Sequence, residues 1–331
     1  MPHLTATTAT LAAACLALAA ASPAMALIID DGGTTVIDST VNDFIEVADG
    51  PGGQPTTVVF EPGANITDSD SVGDTVFVTG GSSVVINGGQ FFEDVTALDD
   101  ASLTINGGTI GNDALGFNNN VVTITGGTVS NDVEVFANSS LVVTGGLIGD
   151  DLEASDGSSV TFSGGTVTDN LSVENFATAL ITGGTIGNDL EAIGNVSITV
   201  LGGSIGSDIE AVGSATIDIF GGQLGAVGGF EFGIASGGFS VVTLFGPEFQ
   251  INGSPAAFGS ISQGFGTLSG TLSDGSVFSV PFERVDEGFF FPRVGQIVLV
   301  EQAIPEPGSL ALLSLGGVTL LRRRGDFRER R

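Results

Sequence analysis

Lysine, tryptophan and tyrosine are absent from this chain of 331 residues, and cysteine and histidine occur once each. Each absence excludes something. The one cysteine, Cys15, lies in an N-terminal apolar segment, so the body has no thiol for catalysis, no thiolate metal site and no disulfide. The one histidine, His3, lies in the same segment and cannot act as a base in the body. Without Tyr or Trp there is no strong aromatic platform for stacking sugars. Positive charge is equally scarce: 8 Lys+Arg stand against 38 Asp+Glu. Six of those eight are Arg322, Arg323, Arg324, Arg328, Arg330 and Arg331, which leaves only Arg284 and Arg293 for the body. A body this acidic repels nucleic acid and anionic lipid, and its natural partners are divalent cations or cationic surfaces.

What is abundant is glycine, 52 residues, beside 42% apolar residues rich in Val, Ile and Phe. That mixture predicts short packed strands joined by tight turns. Adjacent glycines fall at 88–89, 107–108, 126–127, 145–146, 164–165, 183–184, 202–203 and 221–222, always nineteen residues apart. A fixed period of this size marks a solenoid. With the second glycine of each pair as position 1, four positions are apolar in almost every coil. Position 3 runs Phe91, Ile110, Val129, Ile148; position 7 runs Val95, Ala114, Val133, Leu152; positions 15 and 17 open with Leu103 and Ile105. The alternation at 15 to 17 is that of a strand.

The expected fold is therefore all-β: a parallel β-helix (β-solenoid) of 19-residue coils, three short strands per coil. Seven regular coils occupy 89–222, about 34 Å of rod at ~4.8 Å per coil. Residues 27–88 are expected to form an N-terminal cap and irregular coils, and 223–303 a C-terminal β cap with a tight turn at Asp274-Gly275. The glycine pair is expected to turn one corner. Asn119, Asn138 and Asn195, which share position 12, are expected to turn another in the left-handed region.

Both ends read as addresses. Residues 1–26 have the form of a signal peptide, with an apolar run to Ala21 and the small-x-small cleavage pattern Ala24-Met25-Ala26. Ala12-Ala13-Ala14 before Cys15 lacks the leucine of a lipoprotein site. At the other end, Pro305-Glu306-Pro307 precedes an apolar helix predicted over 308–321 and then Arg322-Arg323-Arg324. Fourteen helical residues reach about 21 Å, short of the ~30 Å of hydrocarbon. The arginines stay on the cytoplasmic side, which leaves the body outside.

This three-part order over residues 304–331 resembles a PEP-CTERM sorting tail, a kind of tail also associated with proteins described as ice-binding. The resemblance implies that the precursor is held in the inner membrane by its C-terminal helix. An exosortase, a membrane transpeptidase-like enzyme, then processes it and sends the body to the cell surface or its extracellular polysaccharide matrix. It says little about what the body does there.

Candidate chemistry lies in the coils. Position 6 is Asp94, Asp113, Asp132, Asp151, Asn170, Asp189 and Asp208, and position 8 is Glu134, Glu153, Glu191 and Glu210 in four coils. Flanking the apolar position 7, both point to one outer face. The pairs Asp132/Glu134, Asp151/Glu153, Asp189/Glu191 and Asp208/Glu210 are candidate weak Ca²⁺ ligands, since carboxylates are the preferred ligands of hard cations. "GGTIGNDLEA" resembles the calcium-binding RTX nonapeptide GGxGxDxUx, but has an extra residue between its glycines and occurs once per coil. The alternatives are that the Asp and Asn cap backbone groups at a corner, or that cations bind loosely at the surface.

Enzymes are the rival class, because parallel β-helices include polysaccharide lyases and hydrolases. The coils hold no Lys, Arg or His to abstract a proton. Asp99-Asp100 and Asp150-Asp151 are formal acid pairs for hydrolysis, yet Asp150-Asp151 obeys the repeat where a catalytic site breaks it. No catalytic residue and no bound cofactor other than weak Ca²⁺ is expected. Regular Thr-x-Thr arrays would suggest ice binding, but on positions 16 and 18 only Thr123/Thr125 is a strict pair, and Val142, Leu180, Leu201, Asp218 and Phe220 break the columns. The reading is a secreted, non-enzymatic structural or adhesive solenoid of the cell surface or matrix. A carbohydrate-binding or carbohydrate-active β-helix is the alternative.

Overall fold

A computed structural model describes residues 26–67, 74–225, 233–285 and 295–304. Among them every regular element is a strand, and the chain winds a β-solenoid of about ten turns. The cleavage residue Ala24 and the sorting signal Pro305, Glu306, Pro307, Arg322, Arg323 and Arg324 lie outside the described residues, as does the expected helix at 308–321. Ala26 is the first residue described.

The period seen in the sequence is the register of the sheets. Val95 pairs with Ala114, Ala114 with Val133 and Val133 with Leu152 in one parallel ladder. Leu103 pairs with Val122, Leu141 and Val160 in turn in a second. Thr109 pairs with Thr128 in a third, formed by the short strands around position 3. A 19-residue period places like on like, so each apolar position becomes a continuous column inside the rod. Positions 3, 7, 15 and 17 are buried, and position 9 (Ala97, Val135, Ala154, Val173) adds an inner column.

The glycine pair bends a sheet without always ending a strand: Ser140–Ile148 and Ser159–Val167 run unbroken through it. It must be glycine for two reasons. Gly127 has φ +81, and a Cβ there would lie 2.9 Å from the Gly107 carbonyl carbon one coil away. A Cβ on Gly126 would lie 2.6 Å from the Asn106 carbonyl oxygen. Coils one strand apart leave no room for either.

The second corner uses two left-handed residues in succession, the φ pattern of a type I′ turn. Asn118 and Asn119 have φ +63 and +64, and Ala137 and Asn138 +52 and +64. The Ser139 N–H closes the turn on the Phe136 carbonyl at 3.2 Å. Asn195 does not share this conformation. In its coil the left-handed residue is Gly194, φ +93, and in the next it is Gly213, φ +75. Glycine one place earlier enters the left-handed region at no steric cost and relieves position 12 of the task.

The coils extend beyond the strict repeat at both ends. Thr34 pairs with Thr57 and Thr57 with Ser83, 23 and 26 residues apart, before Ser83 pairs with Ser102 at nineteen. Past Gly222, Ile234–Gly237 and Val241–Gly246 add another parallel turn, so the rod continues into the region expected to be cap alone. Val277–Val285 and Gln296–Glu301 stack in parallel on those strands as a further turn, and antiparallel pairing joins them. Glu248–Ile251, Phe265–Thr271 and Val277–Val285 form a meander over buried Phe249, Leu268, Phe278 and Phe282. Asp274-Gly275 sits in a five-residue loop in place of a two-residue turn. Asp274 accepts from the Ser276 N–H at 2.8 Å and from the Gly222 N–H at 2.9 Å, fastening the loop to the last glycine pair.

Candidate functional site

The acidic ladder is first a structural device. At position 6 the strand is about to begin, and its N–H points along the rod with no carbonyl to meet it. The Oδ1 of the residue one coil back accepts it instead. Asp113 N–H bonds Asp94 at 3.0 Å, Asp132 bonds Asp113 at 3.0 Å, and Asp151 bonds Asp132 at 3.0 Å. Asn170 N–H bonds Asp151 at 2.8 Å, Asp189 bonds Asn170 at 3.0 Å, Asp208 bonds Asp189 at 2.8 Å, and Gly233 bonds Asp208 at 2.8 Å. That Asn170 performs the role shows that an acceptor oxygen is needed there and a charge is not.

Position 5 then varies from coil to coil: Glu93, Asn112, Asn131, Asp150, Asp169, Asn188 and Ser207. Asn112 Nδ2 donates to Asp94 Oδ1 at 2.6 Å, Asn131 to Asp113 at 2.8 Å, and Asn188 to Asn170 at 3.1 Å. Where position 5 is Asp150, a carboxylate replaces the donor. Oxygens of Asp132, Asp150 and Asp151 then lie within 4.8 Å of one another. Of the eight ligands expected from the sequence, only Asp132 and Asp151 join such a group among the described residues, and Asp150 completes it. The signal for Asp150 was an Asp at position 5 directly before an Asp at position 6; Asp169, at the same position, precedes Asn170 and joins no such group. Asp189/Glu191 and Asp208/Glu210 have Asn188 and Ser207 at position 5 and gather no third carboxylate.

Position 8 is less solvated than strand alternation suggests. Glu134 is 8% exposed and stacks in register on the half-buried Glu153; Glu191 stacks on Glu210. Two residues on, along the same outer side, the rings of Phe117 and Phe136 stack at 5.0 Å. Burial pushes the Glu134 carboxyl up to about 8, with Glu153, Asp113, Asp132 and Asp94 adding repulsion. Burial pushes Glu153 up to about 7, with Glu174 the next cause. Asp132 and Asp151 are raised by burial and held back by the backbone N–H each accepts. No basic residue lies in coils 89–222 to compensate this charge, so protons or solvent cations must.

Asp99 and Asp100, the other formal acid pair, are exposed and form the two left-handed residues of a corner, φ +51 and +63. Their conformation accounts for them as turn formers.

The acid is confined to one side. Of the Asp and Glu in coils 89–222, all but Asp218 lie between positions 5 and 12, on the sheet containing position 7 or the corners flanking it. The outer face of the long-strand ladder, positions 14, 16 and 18, carries only Ser, Thr, Asn, Val and Leu from Ser83 to Leu201. Some of its polar groups satisfy one another: Asn106 Nδ2 donates to Asn87 Oδ1 at 3.0 Å, and Thr125 Oγ1 to Asn106 Oδ1 at 2.7 Å. Asp38 and Glu61 bound this face at one end and Asp218 at the other, followed by the stacked Phe220 and Phe245, 4.0 Å apart.

No family model matches the chain. No curated protein and no solved structure matches it either.

Proposed function

We propose that this chain is an exported, non-enzymatic structural or adhesive rod of the cell surface or extracellular polysaccharide matrix, delivered there by a PEP-CTERM-type tail. The observation that carries the non-enzymatic part is the use to which the acids are put. Position-6 carboxylates cap backbone N–H groups coil after coil, and Asp99-Asp100 makes a turn. Acids engaged in holding the backbone are poor candidates for moving protons on a substrate. Delivery rests on the sequence at both ends, with Ala24 and Ala26 as the signal cleavage pattern and Pro305 to Arg324 as the sorting signal.

The test is fractionation of producing cells, followed by mass spectrometry of the washed surface and matrix fraction. The expected chain there begins near Leu27 and ends near Pro305-Glu306-Pro307. Recovery of peptides ending at Arg331 from that fraction defeats sorting. Depolymerisation of a polysaccharide by the purified chain, lost in Asp150→Asn and Asp151→Asn, defeats the non-enzymatic reading.

A second reading is weak binding of Ca²⁺ at Asp132, Asp150 and Asp151, whose oxygens lie within 4.8 Å of one another. Three hard oxygen donors suit Ca²⁺, which takes 6–8 ligands; solvent would supply the others, and affinity falls in the range of weak extracellular sites.

A further inference from the structure

We propose that the uncharged long-strand face is a self-association surface, on which a second copy of this chain packs face to face as a two-fold dimer. The net charge is −30, so most of the surface repels an identical rod. From Ser83 to Leu201 seven stacked strands present a face without an ionisable group. The acidic sheet lies behind it across a core of roughly 10 Å, more than the ~8 Å Debye length at physiological salt. Two rods meeting through this face therefore keep their acidic sheets apart beyond that length, and only the corner acids Asp99, Asp100 and Asp156 and the end acids Glu61 and Asp218 lie near its rim.

Shape and chemistry point to the same partner. A ladder with one side chain per ~4.8 Å interdigitates best with a ladder of the same pitch, as in packed sheets of identical strands. A second copy supplies that pitch over all seven strands. Val121, Leu180 and Leu201 stand out from the face at 46%, 38% and 45% exposure, apolar knobs among Ser and Thr. The Asn87–Asn106–Thr125 chain satisfies part of its polarity internally, which lowers the cost of drying. Seven strands by five residues cover about 34 Å by ~16 Å, roughly 500 Å² per partner in projection. Side-chain relief raises the combined area past the roughly 1,000 Å² that a specific interface needs. An uncharged polysaccharide is the competing occupant, but from Ser83 to Leu201 this face carries no aromatic side chain for a sugar to stack on.

Sedimentation of the full chain near pH 7 decides between them. A dimer is expected, tightening as salt rises from 0.05 to about 0.5 M because the residual repulsion is screened. Thr161→Asp, at the middle of the face, places two like charges together in the dimer and should weaken association at least tenfold. Ser207→Asp, at position 5 on the acidic side where other coils carry Asp150 and Asp169, should leave it unchanged. Circular dichroism checks that each variant is folded, and Thr199→Asp replaces Thr161→Asp if the latter is not. A chain that is monomeric at every salt concentration overturns the proposal, as does a dimer indifferent to a folded Thr161→Asp or Thr199→Asp. A monomer retained on a neutral polysaccharide resin, and released by Thr161→Asp, overturns it in favour of the glycan.

Discussion

Replacing Glu134 by Gln should stabilise the protein at alkaline pH and flatten its response to pH. In the native rod the carboxyl is raised from its ordinary 4.5 to about 8, by burial first and by repulsion from Glu153 and three Asp second. A raised native pKa means the folded state holds a proton that the unfolded chain has released. The stabilisation is complete below about 4.5 and is lost as pH rises through 8. The whole shift would correspond to nearly 5 kcal/mol at 1.36 kcal/mol per unit. The ladder lies at an outer face that water can reach, and screening there reduces it to about 2 kcal/mol. A Gln side chain is neutral throughout and keeps the volume. Near pH 5 the variant should therefore melt only about 1–2 °C above the parent, and near pH 9 about 4 °C above it for a chain of this size. Thermal melts across pH 5 to 9, at fixed ionic strength and with chelator, read this directly. A parent whose melting temperature is flat or rises from pH 5 to 9 would refute the reasoning, and so would a variant that falls as steeply as the parent.

Three further outcomes follow from the same coils. Asp151→Asn should stay within ~0.5 kcal/mol of the parent in denaturant unfolding, because Asn170 fills the same role naturally, whereas Asp151→Ala should cost about 1–2 kcal/mol by orphaning the Asn170 N–H; equal effects would mean that the charge is what matters. Gly127→Ala should lower stability by more than 2 kcal/mol, since its Cβ would strike Gly107, whereas Gly52→Ala, also at positive φ but with nothing within 4 Å, should cost only about 1 kcal/mol. Ca²⁺ should raise the melting temperature, since it relieves the repulsion among Asp132, Asp150 and Asp151. Asp150→Asn should remove most of that rise while stabilising the metal-free chain; a rise matched by NaCl of equal ionic strength would leave the acids as a solvated surface.

The rod was legible because its cause is strictly periodic. A glycine pair every nineteen residues is visible to counting, and so are the apolar columns that such a period creates. Where coils depart from nineteen the signal disappears although the ladders continue. The 23- and 26-residue coils before Ser83, and the 25-residue step from Thr216 to Val241, keep the ladder register although their spacing differs. Asn195 misled because several residue types solve the same corner: two left-handed residues at positions 11 and 12, or one glycine at position 11. Alternation correctly turns position 8 outward, but it carries no information on how closely neighbouring coils crowd that side, and so could not reveal that Glu134 is nearly covered.

Position 5 shows how a repeat can carry variation that the fold does not notice. The backbone requires an acceptor at position 6 and is served equally by Asp and Asn. With that requirement met, position 5 is free to present a donor, an amide or the Ser207 hydroxyl, or a carboxylate that opposes the ladder. Asn112, Asn131 and Asn188 close the ladder on itself, and Asp150 leaves it short of a positive partner. The change leaves the coil wound as before, since Leu152 still pairs with Val133 and Leu171 on either side. Its cost is electrostatic and depends on the medium: it falls with protons or divalent cations and rises without them. A rod built this way holds its shape by its columns and its response to the surroundings by a few substitutions on one face, while the opposite face stays free of charge.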